Sequence, residues 1–285
     1  DGTSQVGEGN IVTKVFPEKE LLVCRSPHIC AGNIYLPKNT KNELVEKYIN
    51  MTDNIVVINS IGENTLQRLS GCDMDSDQIL ITNNQIMIDA ARSNYDKFKV
   101  PTTDIEPSQD PKAYTPENLA ELDHKTSVNL IGEIVNLSQV LNSIYWHIDN
   151  TRHLYEDEAK VNEYLEKIYT DICQLSIMSG IEIDKAKKDF GNLDNNKELN
   201  RIRDKYRNKK TGKLEYPMFF RELSRKGRYN SKRVYVEYET TVDMLADEIR
   251  NCQLPVEKES DTTNWISLDK IFNKDKTKSR DIDNE

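Results

Sequence analysis

The chain has 285 residues, 36% of them hydrophobic and 31% charged, with a net charge of -9 and a mean hydropathy of -0.72. That length holds one large domain or two modest ones, and the polar balance points to an extended, helix-rich molecule or a piece of something larger. With no run of about 18 apolar residues no membrane span is expected. The five scattered cysteines (Cys24, Cys30, Cys72, Cys173, Cys252) form no Cys-x-x-Cys pair, which argues against structural zinc and for reduced thiols in a cytoplasmic protein.

The start, Asp1-Gly2-Thr3-Ser4, carries neither an initiator Met nor a signal peptide and reads as an internal point. Short β-branched or apolar runs bounded by Pro, Gly and Asn then predict strands over 11–16, 20–24, 33–36 and 54–59. A helix is predicted over 41–51, where Leu44, Val45 and Tyr48 share a face, a strand over 78–82, and a helix over 84–98. Pro101, Pro107 and Pro111 mark a linker, which places a boundary near residue 105. Beyond it the apolar period turns helical, over 116–122, 127–146 and 157–178. A shorter basic helix follows at 198–207, then a short strand at 234–238 and a closing helix at 242–252. From about Asn273 charge and polarity dominate and disorder is expected. The expected domains are thus 1–105, 106–272 and a tail at 273–285.

The most informative feature is Asp73-Met74-Asp75-Ser76-Asp77, three carboxylates at alternate positions. In an extended strand they share a face but spread over roughly 13 Å, whereas Mg²⁺ needs its oxygens at about 2.1 Å. A helix would turn Asp75 away from the other two. Only a tight loop brings all three to one ion, and Ser70-Gly71 on one side and the strand at 78–82 on the other suit such a loop. An EF-hand calcium loop needs Gly at the sixth position and Glu at the twelfth, where this chain has Gln78 and Asn84. A merely acidic surface turn is the other alternative, but three carboxylates within five residues repel one another unless a cation relieves them. Upstream, Leu22–His28 reads as a strand running into an Arg25-Ser26-Pro27 turn, and an arginine at a strand end is a rigid fork for ribose hydroxyls or phosphate. Carboxylate-held Mg²⁺ beside a fixed arginine suits phosphoryl or nucleotidyl transfer.

Charge is unevenly spread. Between Arg201 and Arg233 thirteen Lys or Arg face three acids (Asp204, Glu215, Glu222), a local +10, so the remainder carries -19. Arg201, Arg203, Lys205, Arg207, Lys209, Lys210 and Lys213, interleaved with Tyr206 and Tyr216, are candidates for holding a nucleic-acid backbone; a solvated helix and loop is the alternative.

These residues resemble a known family. Arg25-Ser26-Pro27, followed about fifty residues later by the three Asp, resembles the R-x-P and D-x-D-G-D signature of the second barrel of two-barrel RNA polymerases. The likeness is closer to the single-chain RNA-dependent RNA polymerases of RNA silencing and their bacterial and phage relatives. Residues 23–34 are similar to their "RNPxxHPGDI" stretch, 131–136 to "lGxIxN", 175–187 to "LxxxxsxAVDxxK" and 216–220 to "YPHFM". The landmarks run in the family's order over roughly residues 20–220. Two positions depart from it: Ser76 stands at the signature's glycine, and Gly71 stands where the large-subunit pattern has a ribose-checking Asn.

The resemblance implies an α+β fold, a double-psi β-barrel followed by a mainly helical region. It implies templated RNA synthesis by two-metal nucleotidyl transfer, with Asp73, Asp75 and Asp77 holding Mg²⁺ and Arg25 contacting the sugar of the incoming nucleoside triphosphate. The partners implied are a nucleic-acid template, nucleoside triphosphates and an upstream portion carrying the other barrel, so the chain is expected to be a carboxy-terminal portion, inactive alone. For Asp184, Lys185 and Lys187 the expected role is packing, for Tyr216–Phe220 core, and for His28 structural. Two alternatives stay open: a non-catalytic nucleic-acid-binding module of the same fold, and a Mg²⁺-dependent nuclease.

Overall fold

In the computed structural model, residues 5–103, 105, 113–185, 190, 193–222 and 233–251 are described. The chain divides into two compact units, Asp1–Met244 and Leu245–Glu285. Of the second only residues 245–251 are described. The tail expected from Asn273 lies outside the described residues.

The first part of the chain is built from short strands. β1 (Asn10–Val12) is central in a three-stranded sheet, parallel to β3 (Lys38–Asn39) and antiparallel to β4 (Val57–Ile58). β2 (Leu22–Arg25) pairs antiparallel with β5 (Ile79–Thr82), in a register that sets Leu22 against Thr82 and Arg25 against Ile79. Ile11, Leu21, Val23, Tyr35, Leu69 and Cys72 form the core between these elements.

The strands are shorter than the sequence predicts, and the reasons are local. Beyond Val12 the chain enters left-handed backbone at Phe16 (φ 51°) and Glu18 (φ 57°). It wraps around the buried Asn39 amide, which donates to the carbonyls of Thr13, Val15 and Phe16 and accepts from the N–H of Thr13. The strand predicted over 33–36 reduces to a single bridge, in which Tyr35 exchanges both backbone hydrogen bonds with Val23. Pro37, with no N–H to donate, interrupts the ladder two residues later.

Among the helices of this part, α1 (Glu43–Tyr48) is capped by Asn42, whose side chain accepts from the N–H of Leu44 and Val45. α2 (Thr65–Arg68) is a single turn, and α3 (Gln85–Asn94) is capped by Asn84.

The helical part starts with α4 (Pro116–Ser127), with Pro116 at its first position and Thr115 as cap. α5 (Ile131–Asn150) and α6 (Glu158–Asp184) fold back on one another across a short 3₁₀ turn at Arg152–Leu154. The helix predicted over 127–146 begins only at Ile131. The N–H of Leu130 instead donates to the Glu182 carboxylate at 3.2 Å, which fixes the start of α5 against the end of α6.

On α6 the buried positions Val161, Leu165, Ile168, Ile172 and Leu175 repeat at spacings of four and three, the stripe that packs a helix pair. The stripe ends in buried Ser179 and Glu182. Burial raises the Glu182 pKa, but hydrogen bonds from Asn195, Lys185 and the Leu130 N–H outweigh it and leave the carboxyl below its ordinary value.

α7 (Asn195–Lys205) buries Leu199 and Ile202 and is followed by β6 (Glu215–Pro217), α8 (Phe219–Glu222), β7 (Val234–Val236) and α9 (Thr241–Asn251). β6 and β7 pair in parallel, and Phe219 and Phe220 are buried, as core residues are. No helix among the described residues is long and apolar enough to cross a membrane.

One loop locks the strands to the helices. The Asn142 amide donates to the Ile29 carbonyl at 3.0 Å, and the N–H of Gly32 donates to the Tyr169 hydroxyl, which donates in turn to the Lys99 carbonyl at 2.8 Å. Phe98 packs in an aromatic cluster with Tyr145, Trp146 and Tyr169. A Cβ on Gly32 would stand 2.6 Å from the Lys99 carbonyl oxygen. Gly32→Ala is therefore expected to cost roughly 1–3 kcal/mol of stability, the range for overpacking a tight site. Urea denaturation measures it, and an unchanged midpoint would contradict this reading of the joint.

Candidate metal centre

The loop between α2 and β5 is anchored at both buried Leu69 and buried Cys72. The N–H groups of Gly71 and Cys72 both donate to the Leu66 carbonyl, at 2.9 and 3.1 Å, and Ser70 (φ 58°) and Gly71 (φ 72°) turn the chain out of α2. Two further left-handed residues, Met74 (φ 62°) and Ser76 (φ 93°), then coil the segment. Asp73, Asp75 and Asp77 each present an oxygen, and these atoms all lie within 4.8 Å of one another. Among the described residues this is the one cluster able to hold a metal ion. The curl that the alternate spacing demands is present.

The loop closes on its own third carboxylate. One Asp77 oxygen accepts from the N–H groups of Asp73 (3.0 Å) and Met74 (3.3 Å). The other accepts from Arg25 Nε at 2.7 Å, with Arg25 Nη2 in contact with the same atom. Arg25 Nη1 donates to the Ser70 carbonyl at 3.1 Å, so a single guanidinium ties the two ends of the loop together. The β2–β5 register explains the meeting: Arg25 ends β2 opposite Ile79, two residues after Asp77. Burial works to raise the Asp77 pKa, yet hydrogen bonds from the Cys72 thiol, from Arg25 and from the Asp73 N–H bring it down to about 2. The group is an anion at any ordinary pH.

This donor set fits a hard divalent cation. Oxygens sharing one octahedral Mg²⁺ stand about 3.0 Å apart when adjacent and about 4.2 Å when opposite, so the three carboxylates must draw together somewhat to share an ion. Asp73 and Asp75 are exposed and face a cavity of about 320 Å³. Arg25, Asn33 and Gln67 line the same cavity, and α6 supplies its other wall through Ser176, Gly180 and Asp184. Asn33 is fully buried; its amide donates to the Gln67 carbonyl at 2.9 Å and so steadies the turn from which the acidic loop departs.

Ser76 does not prevent the loop conformation, but it occupies backbone that favours glycine. Ser76→Gly is expected to raise stability by roughly 0.5–1 kcal/mol, relief of strain exceeding the added freedom of the unfolded chain. A thermal melt tests this, and a lowered midpoint would contradict it.

Arg25 lies at the cavity, with its guanidinium engaged by Asp77 and Ser70. Asp184, expected to pack, instead lines the cavity with Asp73 and Asp75. Lys185 pairs with Glu182 at 2.7 Å, and Lys187 lies outside the described residues. His28 is exposed.

The basic stretch is dispersed among partners. Arg201 meets Glu198, Arg203 meets Glu133 and Lys205 meets Asp171, each at 2.7 Å, and Arg207 meets Asp204 at 2.6 Å. Lys209, Lys210 and Lys213 are exposed on the turn before β6. None of the seven lines the cavity. Asn33, Ser176 and Gly180 were not singled out for function by sequence: small or amide side chains carry no chemical signature until the fold faces them toward the acids.

Compared with protein-family models, residues 3–249 match the one described as RNA dependent RNA polymerase. No curated protein matches the chain.

Proposed function

The chain belongs to the RNA-dependent RNA polymerase family, and from that premise we propose that it is the catalytic-barrel portion of an enzyme that joins nucleoside triphosphates on a nucleic-acid template. The observation that carries the proposal is the convergence of Asp73, Asp75 and Asp77 on one point, beside Arg25 and at the mouth of a cavity. Residues 1–105 are read as a double-psi β-barrel and 106–272 as the helical region that supports it.

In this reading Asp73 and Asp75 hold Mg²⁺ with Asp77, whose second role is to fix the loop's shape. A divalent ion held there would supply positive charge for two-metal nucleotidyl transfer from a nucleoside triphosphate to a primer 3′-hydroxyl. Arg25 keeps Asp77 ionised and oriented and presents its remaining N–H groups to the nucleotide sugar. α6 forms one wall of the cavity. A second barrel, encoded upstream, is required to bind the triphosphate.

The test is incorporation of labelled nucleotides by the protein together with the upstream portion of its reading frame, on RNA and on DNA templates. The expected result is template-length RNA in Mg²⁺ and none in excess chelator. Product that is insensitive to chelator, or binding of template without any synthesis, would overturn the proposal.

A further inference from the structure

Cys30 and Cys173 take no part in the chemistry proposed above. Cys30 lies in the loop after β2 and is 1% exposed; Cys173 is half-buried on α6. Their sulfur atoms are 4.0 Å apart, the Cys30 thiol donating toward Cys173, and Cys30 Sγ also lies 3.7 Å from the Ile172 carbonyl oxygen.

We propose that Cys30 and Cys173 form a site of oxidative modification, which a peroxide converts into an intramolecular disulfide joining the β2 loop to α6. A disulfide places its sulfurs about 2.05 Å apart, so about 2 Å of approach is needed, within reach of side-chain rotation on facing segments. The backbones are already held together there by the Asn142–Ile29 and Gly32–Tyr169 hydrogen bonds.

The two thiols have different roles. Cys173 is the more accessible, and the hydrogen bond from Cys30 outweighs its burial and holds its pKa below the ordinary thiol value. Cys30, donating to Cys173 and buried, has its pKa raised. Burial pushes the thiols of Cys24 and Cys72 up to about 11, so among the described cysteines the thiolate that attacks peroxide first is that of Cys173.

The Cys173 thiolate attacks one peroxide oxygen, the O–O bond breaks, and the second oxygen leaves as hydroxide, which takes up the proton released by the Cys173 thiol and becomes water. The Cys173 sulfenic acid is then attacked by Cys30 sulfur; the S–O bond breaks and hydroxide departs with the Cys30 proton as a second water. In total two thiols lose two electrons and two protons, and one peroxide becomes two waters. Because Cys30 is five residues past Arg25 and Cys173 three before Ser176, the bond links the two walls of the cavity.

The test needs no catalytic activity, so its outcome is separable from that of the proposed function. The full chain is treated with hydrogen peroxide, remaining thiols are alkylated, and peptides are mapped by mass without reduction. The expected product is a Cys30–Cys173 linked peptide, lighter by two hydrogens, that a dithiol reductant cleaves. In Cys30→Ser, Cys173 is expected to stop at the sulfenic acid and react with dimedone. The proposal is overturned if the native chain keeps both thiols alkylatable after peroxide. It is equally overturned if Cys173 reaches sulfinic acid, or pairs with a different cysteine, without the linked peptide appearing.

Discussion

Asp75→Ala is expected to reduce nucleotide incorporation by the complete protein at least about a thousandfold, the loss that follows from some 4 kcal/mol less transition-state stabilisation. Asp75 is exposed, and the loop closes on the Asp77 carboxylate, which accepts from the N–H groups of Asp73 and Met74. The fold should therefore be indifferent to the change, with a stability difference of roughly 0.5 kcal/mol or less. Metal-free, the variant should even gain slightly, because one of three mutually repelling carboxylates is gone. Single-turnover incorporation and thermal melts with and without Mg²⁺ together test the point. A catalytic defect accompanied by unfolding would indicate a structural acid, and retained incorporation would remove Asp75 from the metal centre.

The second large effect is expected at Arg25. Its side chain is 13% exposed and that of Asp77 is 11% exposed. Arg25→Gln leaves a largely buried carboxylate with only the Cys72 thiol and backbone N–H groups as donors. The expected cost is about 2–4 kcal/mol, toward the lower end for a broken buried pair because the site opens to a cavity. The Asp77 pKa supplies an independent reading. In the native protein it is depressed to about 2, below the unfolded value of about 3.9. Its stabilisation is then complete above about pH 4 and lost as pH falls through about 2. Without Arg25 the folded value rises toward the ordinary one and that contribution shrinks. Carboxyl-carbon NMR titration of Asp77 measures the shift; the same titration in both proteins would contradict the assignment of Arg25 as the clamp.

What the sequence made legible follows from the range of the interactions involved. The acidic loop is local: alternate aspartates between a Ser-Gly turn and an Ile-Leu-Ile-Thr strand allow few conformations that bring the acids together, and residues 70–82 adopt one of them. The joining of Arg25 to Asp77 across 52 residues was not legible, because it depends on the β2–β5 register, which the spacing does not set. The wall formed by α6 shows the same limit. Ser176, Gly180 and Asp184 recur at intervals of four, a face visible in the sequence, but what that face meets is decided by the fold-back of α5 on α6.

The basic stretch shows another limit. Counting charges between 201 and 233 reports a local excess, yet Arg203 and Lys205 find carboxylates 70 and 34 residues away, on Glu133 and Asp171. Local excess is therefore not free charge. Lys209, Lys210 and Lys213 keep the proposal of a nucleic-acid contact, outside the cavity. Among the helices, single-turn α2 carries too few residues to display a period, although it launches the acidic loop.

The claim beneath all of this is that the loop at 73–77 holds a divalent ion. Mn²⁺ titrated into the full chain and followed by electron paramagnetic resonance tests it most directly, since free and bound ion are distinguished without any need for catalysis. The account predicts saturable binding in the native chain that is lost in Asp73→Asn/Asp75→Asn while the melting curve of the metal-free protein is retained. Equal Mn²⁺ binding by the native chain and that variant would contradict it.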